Sequence, residues 1–410
     1  MIGDELTLTQ RKLAIIGGGA SGFAAAIEAC YNSKINVTIY DKLPKACKKI
    51  LATGNGRCNF SNTDLSPSHF HGNRDFLKYV LTSPFADDES FFREMGVLTY
   101  CEDGRLYPKS QQASTIRDTL IYKSLQLGIN IITDTTITEI RKSDNKYIVN
   151  NEVFDAVILC GGGKASPTQG SDGSCYKLAE ALGHSITELY PALCGLTTKD
   201  KALLTLKGVR CKGTVNLYCN NKFVDYESGE IQFTDKGISG IPVMNLSHYC
   251  GNSTDIKVVI DLCNDISKEE LLIHLNGMKA SSPETETELI LNGLLNNKLG
   301  FVIMNRVNIK PHTLLSELNN NKINALVDEI KAFEVICTGT KGFDSAQVTR
   351  GGINTDEINE HTMMSKINDG LFMCGEILNL HGDCGGYNLH LAWITGRIAG
   401  NSVAEYLERL

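Results

Sequence analysis

The sequence predicts an α/β protein built on a parallel sheet, interrupted by an inserted region of different texture. Three observations carry this. A buried apolar run, a glycine turn and an Ala-rich helix follow one another from Leu13 to Cys30. A second buried run, Ala156 to Cys160, ends directly in Gly161, Gly162 and Gly163. Between about Gly195 and Gln347 the pattern changes to short alternating segments and then to polar helices, after which the buried pattern resumes.

Leu13, Ala14, Ile15 and Ile16 read as a strand buried on both faces. Gly17, Gly19 and Gly22 then form G-x-G-x-x-G. Gly17 permits the tight turn, Gly19 lets the backbone approach a pyrophosphate, and Gly22 lets helix and strand pack closely. Ala24 to Cys30 is a good helix former. Its free N–H groups and dipole suit phosphate. Ile35, Val37 and Ile39 alternate as a second strand ending at Asp41, about 20 residues past the glycines. Asp41 can accept hydrogen bonds from both hydroxyls of an adenosine ribose, and such a strand-end acid is expected at the surface. Strand, glycines, helix, strand and acid in this order point to dinucleotide binding.

The 410 residues allow two or three domains, and 42% apolar with 21% charged residues is the composition of a globular protein. A net charge of −7 argues against a general nucleic-acid or anionic-membrane surface. The fourteen cysteines contain no CxxC pair, which fits reduced thiols better than a zinc site or a redox dithiol; no metal site is expected. The N-terminal MIGDELTLTQRK lacks a signal-peptide apolar region, and no run approaches the roughly 18 apolar residues of a membrane span. A cytoplasmic location is expected.

Lys42, Lys45, Lys48, Lys49 and Arg57 make the loop after Asp41 basic, and it could continue along a cofactor or simply be solvated. Helices are expected at Asp75–Leu81, Asp88–Met95 and Ser114–Leu127, broken by a turn at Glu102–Arg105, and strands at Ile129–Ile132 and Ile137–Ile140. Thr214–Tyr218, Glu230–Phe233 and Lys257–Ile260 alternate as in a small antiparallel barrel or sheet. Leu271, Leu272, Leu275, Leu291, Leu294 and Leu295 recur at helical spacing and read as packing. Near the end, GLFMCGE reads as a strand delivering Gly375 and Glu376 to the sheet edge. Gly385 and Gly386 then precede a long amphipathic helix starting near Tyr387 and Asn388. A reduced flavin gathers negative charge at N1 and the C2 carbonyl, which a helix N-terminus favours. A segment returning to complete a site begun at residue 12 is how FAD proteins are built.

With these residues in hand, the chain resembles the YhiN/BaiN-like flavoprotein family, also described as aminoacetone-oxidase-like NAD(P)/FAD-dependent oxidoreductases. The motifs are IIGGGASG at 15–22, TGNGRCNFSN at 53–62, CGGGKASPTQGSDG at 160–173, GEIQFTDKGISGIPV at 229–243, VTRGGI at 348–353 and CGEILNLHGDCGGYNLHLAW at 374–393. The resemblance covers nearly the whole chain. It implies a two-segment Rossmann-type FAD-binding domain, residues 1–194 and 343–410, with an inserted β-barrel domain at 195–265 and a small helical domain at 266–342. It implies that Gly17, Gly19, Ala20, Ser21, Gly22, Asp41 and Lys42 hold the ADP half. Asn55, Gly56, Arg57, Cys58 and Asn59 would lie along the phosphates toward the isoalloxazine. Gly162, Gly375 and Glu376 would sit by the cofactor, with Gly386, Tyr387, Asn388 and Leu389 at the pyrimidine end. Relatives often carry acids where this chain has Asn379 and His381, and a glycine where it has Cys175.

The reading is an FAD-dependent oxidoreductase acting on a small molecule, with no nucleic-acid or membrane partner. The resemblance points to reduction of conjugated C=C bonds in 3-oxo bile-acid or steroid-like substrates. NAD(P)H would be a transient reductant, because no second complete nucleotide fold is present. As an alternative behind the reductase, it points to an amine oxidase of the aminoacetone type using oxygen. A flavin-binding redox sensor acting through the inserted domain is a third reading. His381, a possible proton donor, and Arg57 are the candidate catalytic residues. Cys58 and Cys384 read as packed residues and His390 as structural. Tyr107 could reach the cavity, and Asp344 and Asp383 show no recognisable pairing.

Overall fold

The computed structural model describes residues 10–31 and 34–410. Residues 1–9, most of the stretch read above as lacking a leader, lie outside the described residues. The chain divides into two units, 1–190 with 348–410, and 191–347.

The first unit is organised by a five-stranded sheet in the order Leu371–Met373, Ala156–Leu159, β1 (Lys12–Ile16), β2 (Asn36–Tyr40), Asn130–Ile132. Every pairing is parallel. Apart from the half-buried edge strand Asn130–Ile132, these short runs of Ile, Val, Leu and Ala are buried on both faces, as a parallel sheet covered by helices requires. The strands flanking β1 place two glycine turns side by side. Gly17 leaves the end of β1, and Gly161 leaves the end of the Ala156–Leu159 strand, with Ile16 paired to Leu159. Outside the carboxyl ends of such strands, where strand order reverses, is the crevice in which open α/β sheets bind ligands.

Helix α1 (Ala20–Tyr31) packs against the C-terminal helix Tyr387–Glu408 with almost no side chain between them. A Cβ at Gly396 would lie 2.5 Å from the Ser21 carbonyl oxygen, and one at Gly400 would overlap the Ala25 carbonyl. Arg397 clamps the pair. It donates to Glu28 on α1 at 3.0 Å and to the Phe85 carbonyl at 3.0 Å, with its guanidinium over the rings of Phe85 and Phe91.

One local reading is refined and one corrected. The turn at Glu102–Arg105 is the tip of a β-hairpin, Thr99–Glu102 with Arg105–Pro108. Asp103 and Gly104 both have positive φ, the two-residue turn whose twist suits a hairpin. The strand expected at Ile137–Ile140 begins only at Ile140. The Asn150 side chain accepts from Thr138 and Glu139 N–H and donates to the Thr136 carbonyl, replacing ladder bonds there.

The second unit contains a seven-stranded antiparallel sheet, in the order Phe333–Cys337, Ile256–Asp261, Arg210–Cys219, Lys222–Phe233, Gly237–Ser239, Leu196–Thr197, Gly339–Thr340. Its two outer members are consecutive in the chain on either side of Thr338, so the sheet curls back on itself. Alternate residues of Arg210–Cys219 and Ile256–Asp261 point into the core. Four helices follow, at Lys268–Ser281, Thr287–Asn292, Asn297–Arg306 and Asn320–Lys331, and Leu271, Leu275, Leu291 and Leu295 are buried among them. Among the described residues, no helix is long and apolar enough to cross a membrane.

Placing valine at Gly400 forces apart two backbones that now touch, so Gly400→Val should cost about 1–3 kcal/mol in chemical denaturation. Gly277 lies on the exposed face of the Lys268–Ser281 helix, with nothing within 4 Å of its Cβ position. There Gly277→Ala should instead stabilise by about 0.5–1 kcal/mol. Equal effects at the two positions would show that helix propensity, not close approach, sets the Gly400 requirement.

Candidate functional site

The first glycine turn has the geometry its sequence calls for. Gly17 has φ +119°, and a Cβ there would lie 2.5 Å from the Cys160 carbonyl oxygen. A Cβ on Gly22 would collide with the Gly17 carbonyl. Gly19 is different, because nothing lies within 4 Å of its Cβ position. The close contacts at Gly17 and Gly22 lock the turn, while the open side at Gly19 faces outward just where α1 begins with Ala20 and Ser21. The first N–H groups of a helix have no intrahelical acceptor, so this start can receive an anion.

Asp41 is not the freely exposed acid expected. It is partly buried, with Oδ2 accepting from Gly18 N–H at 3.0 Å and Oδ1 from Leu43 N–H at 2.8 Å. Burial pushes its carboxyl above the usual range, against the pull of these two donors and of Lys42. Each oxygen keeps a further lone pair for a ribose hydroxyl.

The lysines of the basic loop are not merely solvated. Lys42 pairs with Asp172 and reaches Ser174 Oγ at 3.2 Å, and Lys48 donates to the Thr168 carbonyl at 2.8 Å. Lys49 pairs with Glu376 at 2.6 Å. The other Glu376 oxygen accepts from Thr349 N–H, while Thr349 Oγ1 accepts from the N–H groups of Lys164 and Ala165. The loop after Asp41, the triple-glycine segment and the returning C-terminal segment are therefore joined by one polar network. Gly162 and Gly375 both have φ +78°, and their Cβ positions face Ser171 and Ser21 respectively. Asn55 and Gly56 continue a left-handed run begun at Gly54, and Gly56 also opens on empty space.

Arg57 points elsewhere. Its guanidinium pairs with Glu102 at 2.8 Å and lies over the Tyr107 ring at 4.3 Å, which answers where Tyr107 goes and commits Arg57 to a protein partner. Cys58 is fully buried and burial pushes its thiol up to about 12, so it is a packing residue. Cys384 is half-buried, and all fourteen cysteines are unbridged.

At the start of the C-terminal helix, Gly386 has φ +99°, and its Cβ position is 2.9 Å from Asn59 Oδ1 and overlaps the Ser61 carbonyl. Asn388 turns its side chain back on the preceding loop, accepting from Gly382 N–H and donating to the carbonyls of Gly382 and Asp383. Leu389 packs on the core, leaving its main chain for any ligand. Tyr387 stacks on His69 at 4.6 Å. His390 is structural, buried against Asp88 and Ser61.

His381 lies on the Leu380–Gly382 strand, opposite His71 of the antiparallel Phe70–Gly72 strand, with the two rings 4.9 Å apart. Asp383 is paired after all: Oδ1 is 2.8 Å from His71 Nε2 and Oδ2 is 3.1 Å from His69 Nδ1. This group escaped the sequence reading: His69 closes a 3-10 turn and His71 lies in the strand that follows it. In the inserted unit, where no ligand-type cluster was expected, His312 sits between Glu286 and Glu288 at 3.1 and 3.2 Å. Those carboxylates hold its imidazole above the usual range.

A dinucleotide with a flavin end fits these residues. The open sides of Gly19 and Gly56 admit a backbone-hugging ligand. Asn59 Oδ1, Ser171 Oγ and Tyr176 OH are among the buried polar atoms of this unit with no protein partner. Buried polar groups normally find one, so these call for a polar ligand. Because Asp41 braces two backbone N–H groups, Asp41→Ala should lower the stability of the FAD-free protein by about 1–3 kcal/mol and weaken FAD binding as well. Denaturant melts with and without FAD separate the two effects, and unchanged FAD-free stability would refute the bracing role.

Comparison with known proteins agrees with this geometry. The family model described as the HI0933-like protein Rossmann domain matches residues 11–402. A Clostridium scindens protein named 3-dehydro-bile acid delta(4,6)-reductase is 34% identical over 96% of this chain and 99% of its own. A Haemophilus influenzae protein named ribosomal RNA dihydrouridine synthase is 28% identical over 95% of this chain and 98% of its own. Among solved structures, an Escherichia coli quinol fumarate reductase FrdA chain aligns with a TM-score of 0.50 at 16% identity, covering 97% of this chain and 70% of that one, a likeness of fold. The chain thus belongs to the HI0933-like family and is a flavin-dependent oxidoreductase with a Rossmann-type FAD-binding domain.

Proposed function

We propose that this protein is a cytoplasmic, FAD-dependent reductase that uses NAD(P)H to saturate C=C bonds conjugated to a 3-oxo group in bile-acid or steroid-like molecules. The observation that carries this reading is the end-to-end similarity to the bile acid reductase. In this reading Gly17, Gly19, Ala20, Ser21, Gly22 and Asp41 hold the ADP half, and Lys42 braces the facing loop through Asp172. The main chain of Asn55–Asn59, with Gly162, Gly375 and Glu376, borders the middle of the cofactor. The helix start at Gly386–Leu389 lies at the pyrimidine end, where its dipole favours negative charge. Bound FAD supplies reversible two-electron chemistry, while the chain's own residues bind, orient and manage protons.

A second reading is supported by the ribosomal RNA dihydrouridine synthase relative: reduction of a uracil ring in RNA. The chemistry is related, because that ring also carries a C=C bond conjugated to a carbonyl. The net charge of −7 favours the small molecule, since RNA affinity rests on phosphate neutralisation.

The purified protein should be yellow and release FAD, not FMN, on denaturation. Under anaerobic conditions NADH or NADPH should bleach the flavin, and a 3-oxo-4-ene steroid or bile acid should restore the colour. Recolouring by a uridine-containing ribosomal RNA fragment but not by the steroid would establish the second reading. Bleaching by aminoacetone with none by nicotinamide would overturn both in favour of an oxidase. Absence of bleaching by any donor would leave a sensor.

A further inference from the structure

A divalent cation is held by nitrogen and oxygen donors that converge on one point and carry a local excess of negative charge. We propose that Glu286, Glu288 and His312 form a binding site for a divalent transition-metal ion of the zinc type in the second unit. The site lies outside the reductase reading and does not rest on it. The missing CxxC pairs have no bearing on it, because its donors are an imidazole and two carboxylates.

The spacing is that of a coordination shell. His312 Nδ1 is 3.1 Å from Glu286 Oε2 and 3.2 Å from Glu288 Oε1. All three ligand atoms lie within 4.8 Å of one another. Donors at about 2.0–2.2 Å from a tetrahedral zinc stand about 3.3–3.6 Å apart, so an ion needs only small shifts to replace the proton between them. Charge favours the replacement. A protonated His312 offsets one of the two carboxylate charges, whereas a dication beside a neutral imidazole offsets both. The two glutamates already hold the imidazole above its usual range, which shows how strongly this spot draws positive charge. Binding releases the His312 proton to solvent as the ion enters.

The donors are also fixed in advance. Thr287, between the two glutamates, is fully buried and donates from N–H at 2.9 Å and from Oγ1 at 2.8 Å to the Thr313 carbonyl. Leu315 N–H donates to the Thr285 carbonyl at 2.9 Å. The stretch carrying His312 is thereby stitched to the chain on both sides of Glu286. Glu288 is held further, because its Oε2 accepts from the His312 main-chain N–H at 2.9 Å and leaves Oε1 for the ion. Such outer bonds orient a ligating carboxylate. The Glu288 side chain is 9% exposed and that of His312 is 76% exposed. A nine-tenths buried acid aimed at an imidazole differs from a solvated acidic patch. The exposed histidine gives the ion an entrance and a place for water as a fourth donor. The bound ion would clip the 310–315 stretch to the start of the Thr287–Asn292 helix.

The test titrates zinc chloride into the chelator-treated, FAD-loaded chain and into its His312→Asn and Glu288→Gln variants. Asparagine is chosen because His312 has φ +62°, a left-handed conformation that Asn tolerates. In calorimetry the wild type should show one zinc equivalent that each variant weakens at least about tenfold. Zinc taken up by cysteines is common to all three proteins and cancels in the comparison. In imidazole nitrogen NMR, zinc should move the His312 Nδ1 signal of the wild type. The wild-type melting temperature should rise with the logarithm of zinc concentration, and by less in both variants. His312→Asn, at an exposed position, keeps the comparison decisive if Glu288→Gln impairs folding. Equal zinc binding by wild type and His312→Asn, or a His312 signal that zinc does not move, would overturn the assignment and leave the cluster as an ion pair.

Discussion

The C-terminal helix can lie on α1 only because Gly396 and Gly400 put no atoms between the two backbones. Much of the first unit depends on that approach. The same helix receives Gly375 N–H on Thr395, donates from Trp393 to the Phe60 carbonyl, and buries His390 against Asp88. It therefore fixes three separate segments: the returning strand end, the stretch that follows the Gly-Asn loop, and the helix that starts at Asp88. A chain interrupted by more than 150 residues of another unit closes its nucleotide-type sheet through this helix contact together with the pairing of Leu371–Met373 on Ala156–Leu159. The Glu28–Arg397 pair adds direction to it, since a buried charge pair tolerates few alternative registers.

The second constraint is electrostatic. A pyrophosphate is drawn to helix starts and lysines, yet lysines left free would bind any anion. Here Lys42 and Lys49 are each tied to an acid from a different segment, Asp172 and Glu376. The loop is thereby positioned without a large excess of local charge, and helix and turn N–H groups are left to meet a phosphate. Such groups are directional and cannot relax, which suits recognition of a ligand whose place is set by adjacent glycine turns.

The chemistry proposed for this fold needs a hydride acceptor carbon and a protonated neighbour. One half is a property of the cofactor class, and the other must come from the chain. Two short strands far apart in sequence bring three histidines and one carboxylate together beside the start of the C-terminal helix.

Much of this was legible in the sequence. Local features with a fixed period or a fixed turn residue could be read directly: the G-x-G-x-x-G turn, the strands of the parallel sheet, the alternation of the antiparallel unit and the long closing helix. They depend on steric and burial rules that act within a few residues. The beginning of the strand at Ile140 was not legible, because Asn150 supplies the competing bonds from across a hairpin. Asp41 was read in position but not in environment, since its burial comes from Gly18 and the loop folding over it. The partners of Arg57 and Asp383 could not be read at all. Ion pairs join residues by distance in space, and Asp383 meets His71 only after more than 300 residues of intervening chain have folded. Sequence by itself determined the nucleotide fold and its glycine turns; tertiary structure decided which side chains face one another, because Coulombic and hydrogen-bond partners carry no signature in local periodicity.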